Sequence, residues 1–339
     1  MEGVKAGKRR VWLLAAAGLI LSLFFLTACS MGSRWELFSG LKHLSAGSLE
    51  KFTASAARTL IPPTETLPAT PTVTDTPPAE PTPTAKPQKT SNQDQQQTAA
   101  GEEITITILY DNYSWRSGLE TAWGFSALID YGGQRVLFDT GGSGQLLLRN
   151  MSRLGVDPGS IQAVVLSHGH GDHTGGLPAL ISAGARPILY VPSALSASYR
   201  QRFGSTIKVV TTHPGQKIGE RIYTTGEVSG YPPEQALVLD HSRGLVVITG
   251  CAHPGVEHMV RAAKKQLHER PYLVLGGFHL TAASEKQINA VINELQALGI
   301  IRAGPCHCSG DQARALFNQA FGKGYLNLGV GRVIHLELQ

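Results

Sequence analysis

Ile104-Thr105-Ile106-Thr107-Ile108-Leu109-Tyr110 alternates apolar and polar side chains, the period-two pattern of a strand with one buried face. Apolar runs bounded by Gly and Asp predict further strands at 125–130 and 135–139, joined by a turn at Tyr131-Gly132-Gly133-Gln134. A helix over 145–154 follows, then a short buried strand within 161–167 and a helix over 177–183. Strands are expected at 187–191, 208–211 and 221–224, and a hairpin pairs 236–240 with 245–249 through His241-Ser242-Arg243-Gly244. A helix over 255–268 leads to a buried strand at 272–276. Ser284-Glu285-Lys286-Gln287 then has capping-box spacing and opens an amphipathic helix to Leu298. A helix over 313–321 and a strand over 332–338 complete the pattern. Strands early, then strands mixed with helices, twice over, predict an α/β (α+β) chain: two sheets face to face with helices outside.

The preceding hundred residues have a different texture. Residues 1–10 carry Lys5, Lys8, Arg9 and Arg10 against the single acid Glu2, and residues 11–28 are uncharged and mostly apolar. A basic head, an apolar run and a small-residue exit describe an export signal. The exit Leu26-Thr27-Ala28-Cys29 resembles the lipobox of bacterial lipoproteins, where cleavage precedes the cysteine and the thiol carries lipid. An uncleaved signal anchor is the alternative, and Arg9-Arg10 is compatible with twin-arginine export. Leu37, Leu41 and Leu44 fall at helical spacing, so 30–60 reads as either a short amphipathic helix or part of the tether. Residues 61–100 are dominated by Pro, Thr, Ala and Gln and cannot bury a core; such a spacer reaches on the order of 100 Å at ~3 Å per residue. The expected organisation is a signal at 1–28, a lipidated Cys29 with a flexible tether at 29–102, and a catalytic domain at 103–339. The protein is then exported and anchored to the cell membrane, outside the cytoplasm.

Over 339 residues, 42% hydrophobic content fits a globular domain, and the formal charge of +5 includes several charges of the signal. No dense basic run lies beside aromatics, so nucleic acid is not an expected partner. With Cys29 lipidated, Cys251, Cys306 and Cys308 remain, an odd set that argues against a disulfide framework.

The chemistry concentrates where the 161–167 strand ends, in His168-Gly169-His170-Gly171-Asp172-His173-Thr174-Gly175-Gly176. Three imidazoles and a carboxylate crowded at a strand end are costly to bury unless a divalent cation satisfies them. The four glycines are expected to let the loop fold tightly. His253 in Thr249-Gly250-Cys251-Ala252-His253 and His307 in Pro305-Cys306-His307-Cys308 share the setting of an apolar strand ending in a small-residue turn. Together these segments supply six ligands, enough for two ions with open positions. The histidine-rich set suits zinc, and iron or manganese also fit. His43, His213, His241, His258, His268 and His335 lack such a setting.

His168-Gly169-His170-Gly171-Asp172-His173 resembles the HxHxDH signature of the metallo-β-lactamase superfamily, whose fold is an αββα sandwich with a dinuclear site at one edge. The resemblance implies that His168, His170 and His253 bind a first metal and that Asp172, His173 and His307 bind a second. It further implies that Asp139, in Leu137-Phe138-Asp139-Thr140-Gly141, orients ligands; a helix N-cap is the other reading of that residue. Cys251 and Cys308 are expected beside the ligands. Asp111-Asn112-Tyr113, Glu234-Gln235-Ala236-Leu237, Gly276-Gly277-Phe278-His279-Leu280 and the two cysteine-flanked turns resemble one branch of the superfamily. That branch is named for 7,8-dihydropterin-6-methyl-4-(β-D-ribofuranosyl)aminobenzene-5′-phosphate synthase. His279 stands where many hydrolases of this fold place a metal-bridging aspartate, and a neutral imidazole has one free nitrogen to offer. With Asp172, which would also orient the attacking water, it is the candidate catalytic residue, as acid or as donor to substrate phosphate.

The expected function is a membrane-tethered dinuclear hydrolase of a phosphate ester or related ester, with water activated by the metals and a small-molecule, possibly phosphorylated, substrate. The alternatives are a synthase-like transferase, as the branch name suggests, and a metal- or ligand-binding lipoprotein without turnover.

Overall fold

The structure, a computed structural model, describes residues 103–338. The signal, Cys29 and the tether lie outside the described residues, among which no helix is long and apolar enough to cross a membrane.

Two sheets form the centre. The first runs in the order β13-β1-β2-β3-β4-β5-β6, from β1 (Glu103–Tyr110), β2 (Ser126–Tyr131), β3 (Gln134–Phe138), β4 (Ala163–Val165), β5 (Ile188–Val191), β6 (Val209–Thr211) and β13 (Val333–Glu337). The second runs β12-β11-β10-β9-β8-β7, from β7 (Gln216–Gly219), β8 (Ile222–Thr224), β9 (Leu237–His241), β10 (Gly244–Thr249), β11 (Pro271–Gly277) and β12 (Arg302–Cys306). Period-two alternation explains how they stack. Val136, Phe138 and Val165 of the first sheet join Val246, Ile248, Leu273 and Leu275 of the second in one buried layer. The intervening Leu137 and Val164 face outward beneath α1 (Gly144–Arg153) and α3 (Leu177–Ser182). Val247 and Val274 face α5 (Val256–Leu267), α6 (Glu285–Leu298) and α7 (Asp311–Phe321) in the same way. The result is helix, sheet, sheet, helix, as expected from the sequence.

Pairing direction changes across each sheet. β1 to β3 and β13 pair antiparallel, whereas β3 to β6 are parallel; β7 to β10 are antiparallel, whereas β10 to β12 are parallel. The carboxyl ends of parallel strands are where the open α/β folds build their sites. Missing from the sequence reading are α4 (Ser193–Phe203), a single turn α2 (Gly171–Thr174), β7 and three short 3₁₀ turns, and β12 was implied only by the setting of His307. The capping box at Ser284 and Gln287 forms as expected.

Candidate metal centre

Among the described residues, the candidates for the centre lie at the carboxyl ends of parallel strands. Asp139 follows β3, His168 follows β4, and His170, Asp172 and His173 lie in the loop and in α2. Across the sandwich His253 follows β10, His279 follows β11 and His307 follows β12. The site therefore exists only when the two sheets have packed.

Three groups of candidate donors result among the described residues, two of them built around the expected ligands and a third from Cys251, His279 and Cys308. His168, His170 and His253 point one nitrogen each to a common point, with ring centroids 4.7 Å, 4.8 Å and 4.9 Å apart. Nε2 of His168 and Nε2 of His253 are buried without a hydrogen-bond partner. Orphaned buried nitrogens cost on the order of 1–3 kcal/mol each, which a bound cation would remove. The residues present thus fit a divalent ion. The second cluster is Asp172, His173, His307 and Cys251.

Titration points the same way. Burial, then the neighbouring imidazoles of His173, His253 and His170, push His168 far below the ordinary histidine range. Burial and the charge of His279 take His253 down to about 4. Both rings are neutral at physiological pH. His173 behaves oppositely: burial pulls its pKa down, but Asp139 outweighs this and holds it up to about 9. Burial would raise Asp172, but the hydrogen bond from His307 and the nearby imidazoles keep it well below the usual carboxylate range. The second cluster thus calls for positive charge, from a proton or from a metal.

Asp139 is not a helix N-cap; Ser143 caps α1. Its Oδ2 accepts from His173 Nδ1 at 2.7 Å and from Ser167 Oγ at 2.7 Å, and its Oδ1 accepts from Ser167 N at 2.7 Å. Ser167 Oγ in turn lies 2.9 Å from His168 Nδ1. One carboxylate therefore fixes the orientation of a ring in each cluster, directly for His173 and through a hydroxyl for His168. The approach is close: a Cβ on Gly250 would collide with Ser167 Oγ and lie 2.8 Å from Asp139 Oδ2. In the loop, a Cβ at Gly175 or Gly176 would run into the backbone of Gly142 or Thr140. At Gly171 nothing lies within 4 Å, so of the expected loop glycines that one is not required by space.

Sequence reasoning missed Glu234. Fully buried, it accepts backbone N–H groups from Gly250 (3.1 Å), Cys251 (2.9 Å), Ala252 (2.9 Å) and His253 (2.9 Å). The next residue, Gln235, donates to Leu166 O at 2.8 Å, so the pair ties the His253 turn to the end of β4. The available signal was an acidic residue heading an otherwise apolar strand, Glu234-Gln235-Ala236-Leu237-Val238. Asp111 and Asn112 were also without a role. Asn112 Oδ1 lies 3.2 Å from His307 Nδ1, and Asp111 Oδ1 accepts from His307 N at 3.2 Å. Outside the centre, His241 bonds Glu337 O and His335 bonds Glu103, both structural.

Non-glycine residues with φ in the left-handed region collect here. Asp139 (56°), Ala252 (59°), His279 (52°) and His307 (48°) all lie at the centre. Each such conformation costs on the order of 1 kcal/mol and persists only where packing imposes it, as at sites. His279 is exposed, its ring 4.3 Å from that of His253, and Cys308 and Cys251 lie within ligand reach of it. Trp123, 54% exposed, packs its ring 4.8 Å from that of His307. Cys251, Cys306 and Cys308 are free, as expected.

Burial pushes the Asp111 carboxyl from 3.8 up to about 6, against the pull of His307. A folded-state pKa above the unfolded one means that its contribution to stability is complete below about pH 4 and is lost as pH rises through about 6. Asp111→Asn removes that loss. In metal-free protein, its stability relative to the natural chain should therefore improve by roughly 2–3 kcal/mol between about pH 4 and pH 7. Parallel pH profiles in denaturant melts would refute this.

A helix-flanked double sheet with imidazoles and carboxylates gathered at its strand ends resembles the metallo-β-lactamase fold. Residues 124–264 match the family model of the metallo-beta-lactamase superfamily and form a domain of that superfamily, a fold that implies divalent metal binding. The chain is 28% identical over 284 residues to the 7,8-dihydropterin-6-methyl-4-(beta-D-ribofuranosyl)-aminobenzene-5'-phosphate synthase of Methanocaldococcus jannaschii, across 69% of this chain and 97% of that one. Among solved structures it is similar to Tm1679, described as a metal-dependent hydrolase of the beta-lactamase superfamily. The identity there is 27% and the TM-score 0.59, covering 69% of this chain and 99% of the other. YhfI from Bacillus subtilis, a metallo-beta-lactamase fold protein, shares the fold at 17% identity and a TM-score of 0.55, over 69% of this chain and 99% of that one.

Proposed function

We propose that the protein is a membrane-tethered, dinuclear metal-dependent hydrolase acting on a phosphate ester or related ester. The observation that carries this is the pair of buried, unpartnered nitrogens on His168 and His253, beside a third imidazole and a second cluster. His168, His170 and His253 would hold one ion and Asp172, His173 and His307 the other, with zinc suited to the donors and iron or manganese as alternatives. Divalent ions bound there supply Lewis acidity toward a phosphoryl or carbonyl oxygen and lower the pKa of water. The chain's own residues do the rest. Asp139 and Ser167 keep the rings aimed, Asp172 orients water through its second oxygen, and His279, exposed at the rim, donates a proton or a hydrogen bond to the substrate. The likeness to a metal-dependent hydrolase at 27% identity supports this reading. The basic head, apolar run and Leu26-Thr27-Ala28-Cys29 support export and lipid anchoring by Cys29.

A synthase-like condensation is the second reading. It is favoured by the 28% identity to the archaeal synthase and by Trp123, an exposed ring beside His307 that offers a planar substrate a surface. There the ions would assist loss of pyrophosphate as a pterin diphosphate joins a ribosyl-aminobenzene phosphate. An exported protein is poorly placed to meet such a precursor, which ranks this reading second. Metal-loaded protein should hydrolyse a generic phosphodiester or ester. Condensation product by mass spectrometry, without hydrolysis, would reverse the order.

A further inference from the structure

Cys251 stands closer to the second cluster than a bystander needs to. Its Sγ lies 3.1 Å from His173 Nε2 and 3.4 Å from His307 Nε2. Asp172 Oδ2 lies 3.5 Å and 3.3 Å from the same two nitrogens. With zinc bonds of ~2.0–2.1 Å to N or O and ~2.3 Å to S, a tetrahedron has N···O edges of ~3.4 Å and N···S edges of ~3.5 Å. Four of the six edges of the cluster are thus within a few tenths of an ångström of a tetrahedral zinc site.

Hydrogen bonds from outside the cluster fix which ring nitrogens face into it. Asn112 Nδ2 donates to His307 O, so its Oδ1 is the atom facing His307 Nδ1, and that nitrogen must carry the proton. Asp139 likewise accepts from His173 Nδ1. With their Nδ1 atoms so engaged, both rings point Nε2 inward, at a carboxylate oxygen and a sulfur. In the metal-free protein, protons on these nitrogens satisfy the carboxylate and the sulfur. A cation in their midst serves all four.

We propose that the Cys251 thiolate is the fourth protein ligand of the ion held by Asp172, His173 and His307. This rests on the metal-binding part of the reading above and assigns that centre a closed set of two nitrogens, one oxygen and one sulfur. The His168, His170 and His253 position has three protein ligands and keeps a place open. Closed four-ligand sets hold an ion tightly, whereas catalytic positions leave a vacancy for water or substrate. The two positions therefore differ in kind. The sulfur-bearing one selects zinc or another thiophilic ion over magnesium or manganese and releases it slowly, and the three-imidazole one exchanges its ion and faces the chemistry. The geometry of the turn serves this: Cys251 N is pinned by Glu234 at 2.9 Å, and the thiol is buried. Cys308 reaches back to Cys251 O at 3.7 Å and stands with His279, so the two cysteines divide between the ion and the rim.

The test uses the full-length chain loaded with cobalt(II), in which thiolate ligation gives an intense near-ultraviolet charge-transfer band. The band should be present in the natural protein and in Cys308→Ser, and absent from Cys251→Ser. Affinity for one of the two ions should fall in Cys251→Ser by more than the ~10–100-fold that loss of an outer hydrogen bond costs. X-ray absorption on the zinc-loaded natural protein, which needs no variant to fold, should show one sulfur per two metals. A band lost in Cys308→Ser but kept in Cys251→Ser overturns the proposal in favour of the Cys251, His279 and Cys308 group. Cobalt bound with no band and no sulfur scattering overturns it while sparing the metal reading, and a protein that binds no cobalt overturns both.

Discussion

Replacing His168 and Asp172 together by alanine should abolish turnover, by ~10³-fold or more, and empty the centre of metal. The two residues belong to different clusters, so the pair removes one ligand from each proposed ion. Metal-supplied charge stabilisation amounts to several kcal/mol of a reaction barrier, and each ~1.4 kcal/mol is tenfold in rate. The loss should be of function and not of fold. His168 Nε2 has no partner in the metal-free protein, so removing its ring deletes an unsatisfied buried group along with some packing. Thermal unfolding of the metal-free forms should accordingly be similar. His279→Ala is the control: it lies outside both proposed ligand sets, so metal content should stay at the natural level while turnover falls. Full activity in the double variant, or loss of metal in the control, would refute the ligand assignment.

How far this was legible in the sequence follows from how local each signal is. The loop from His168 to His173 places four donors within six residues, and strand-end histidines at 253 and 307 share a recognisable setting, so all six were named as candidates. The alternation in β1 and the capping box at Ser284 are equally local and were read correctly. The helix Ser193–Phe203 was missed because Ser-Ala-Leu-Ser-Ala-Ser-Tyr-Arg-Gln-Arg-Phe has no apolar stripe; only Ser196 and Phe203 on it are buried. β12 was implied only by the setting of His307, because Gly304 and Pro305 speak against a strand; at the edge of its sheet a proline is tolerated. The supports of the centre were the hardest to see. Asp139 bonds residues 28 and 34 positions away, and Glu234 bonds residues 16 to 19 positions away. No periodicity encodes such contacts; they arise when the sheets meet.

Glu234 should prove the most sensitive of these supports. Its two oxygens accept four consecutive backbone N–H groups, from Gly250 to His253, in a fully buried place. Burial raises its pKa, whereas these amides favour the ionised form. Glu234→Ala strands four buried donors, each worth on the order of 1–3 kcal/mol, a sum comparable to the whole stability of a typical domain. That variant should not fold. Glu234→Gln separates architecture from chemistry. Its carbonyl oxygen can still serve the three amides on Oε1, but an NH₂ group then faces His253 N, a donor against a donor. The turn should shift at His253 and cost roughly 1–3 kcal/mol, with the far end of β10 intact. Because His253 belongs to the proposed three-imidazole position, Glu234→Gln should lose the ion there while Asp172, His173, Cys251 and His307 keep theirs. Metal stoichiometry should fall from two toward one with the fold preserved by circular dichroism. Two ions bound at natural affinity in a folded Glu234→Gln would show that the amide clamp does not position His253.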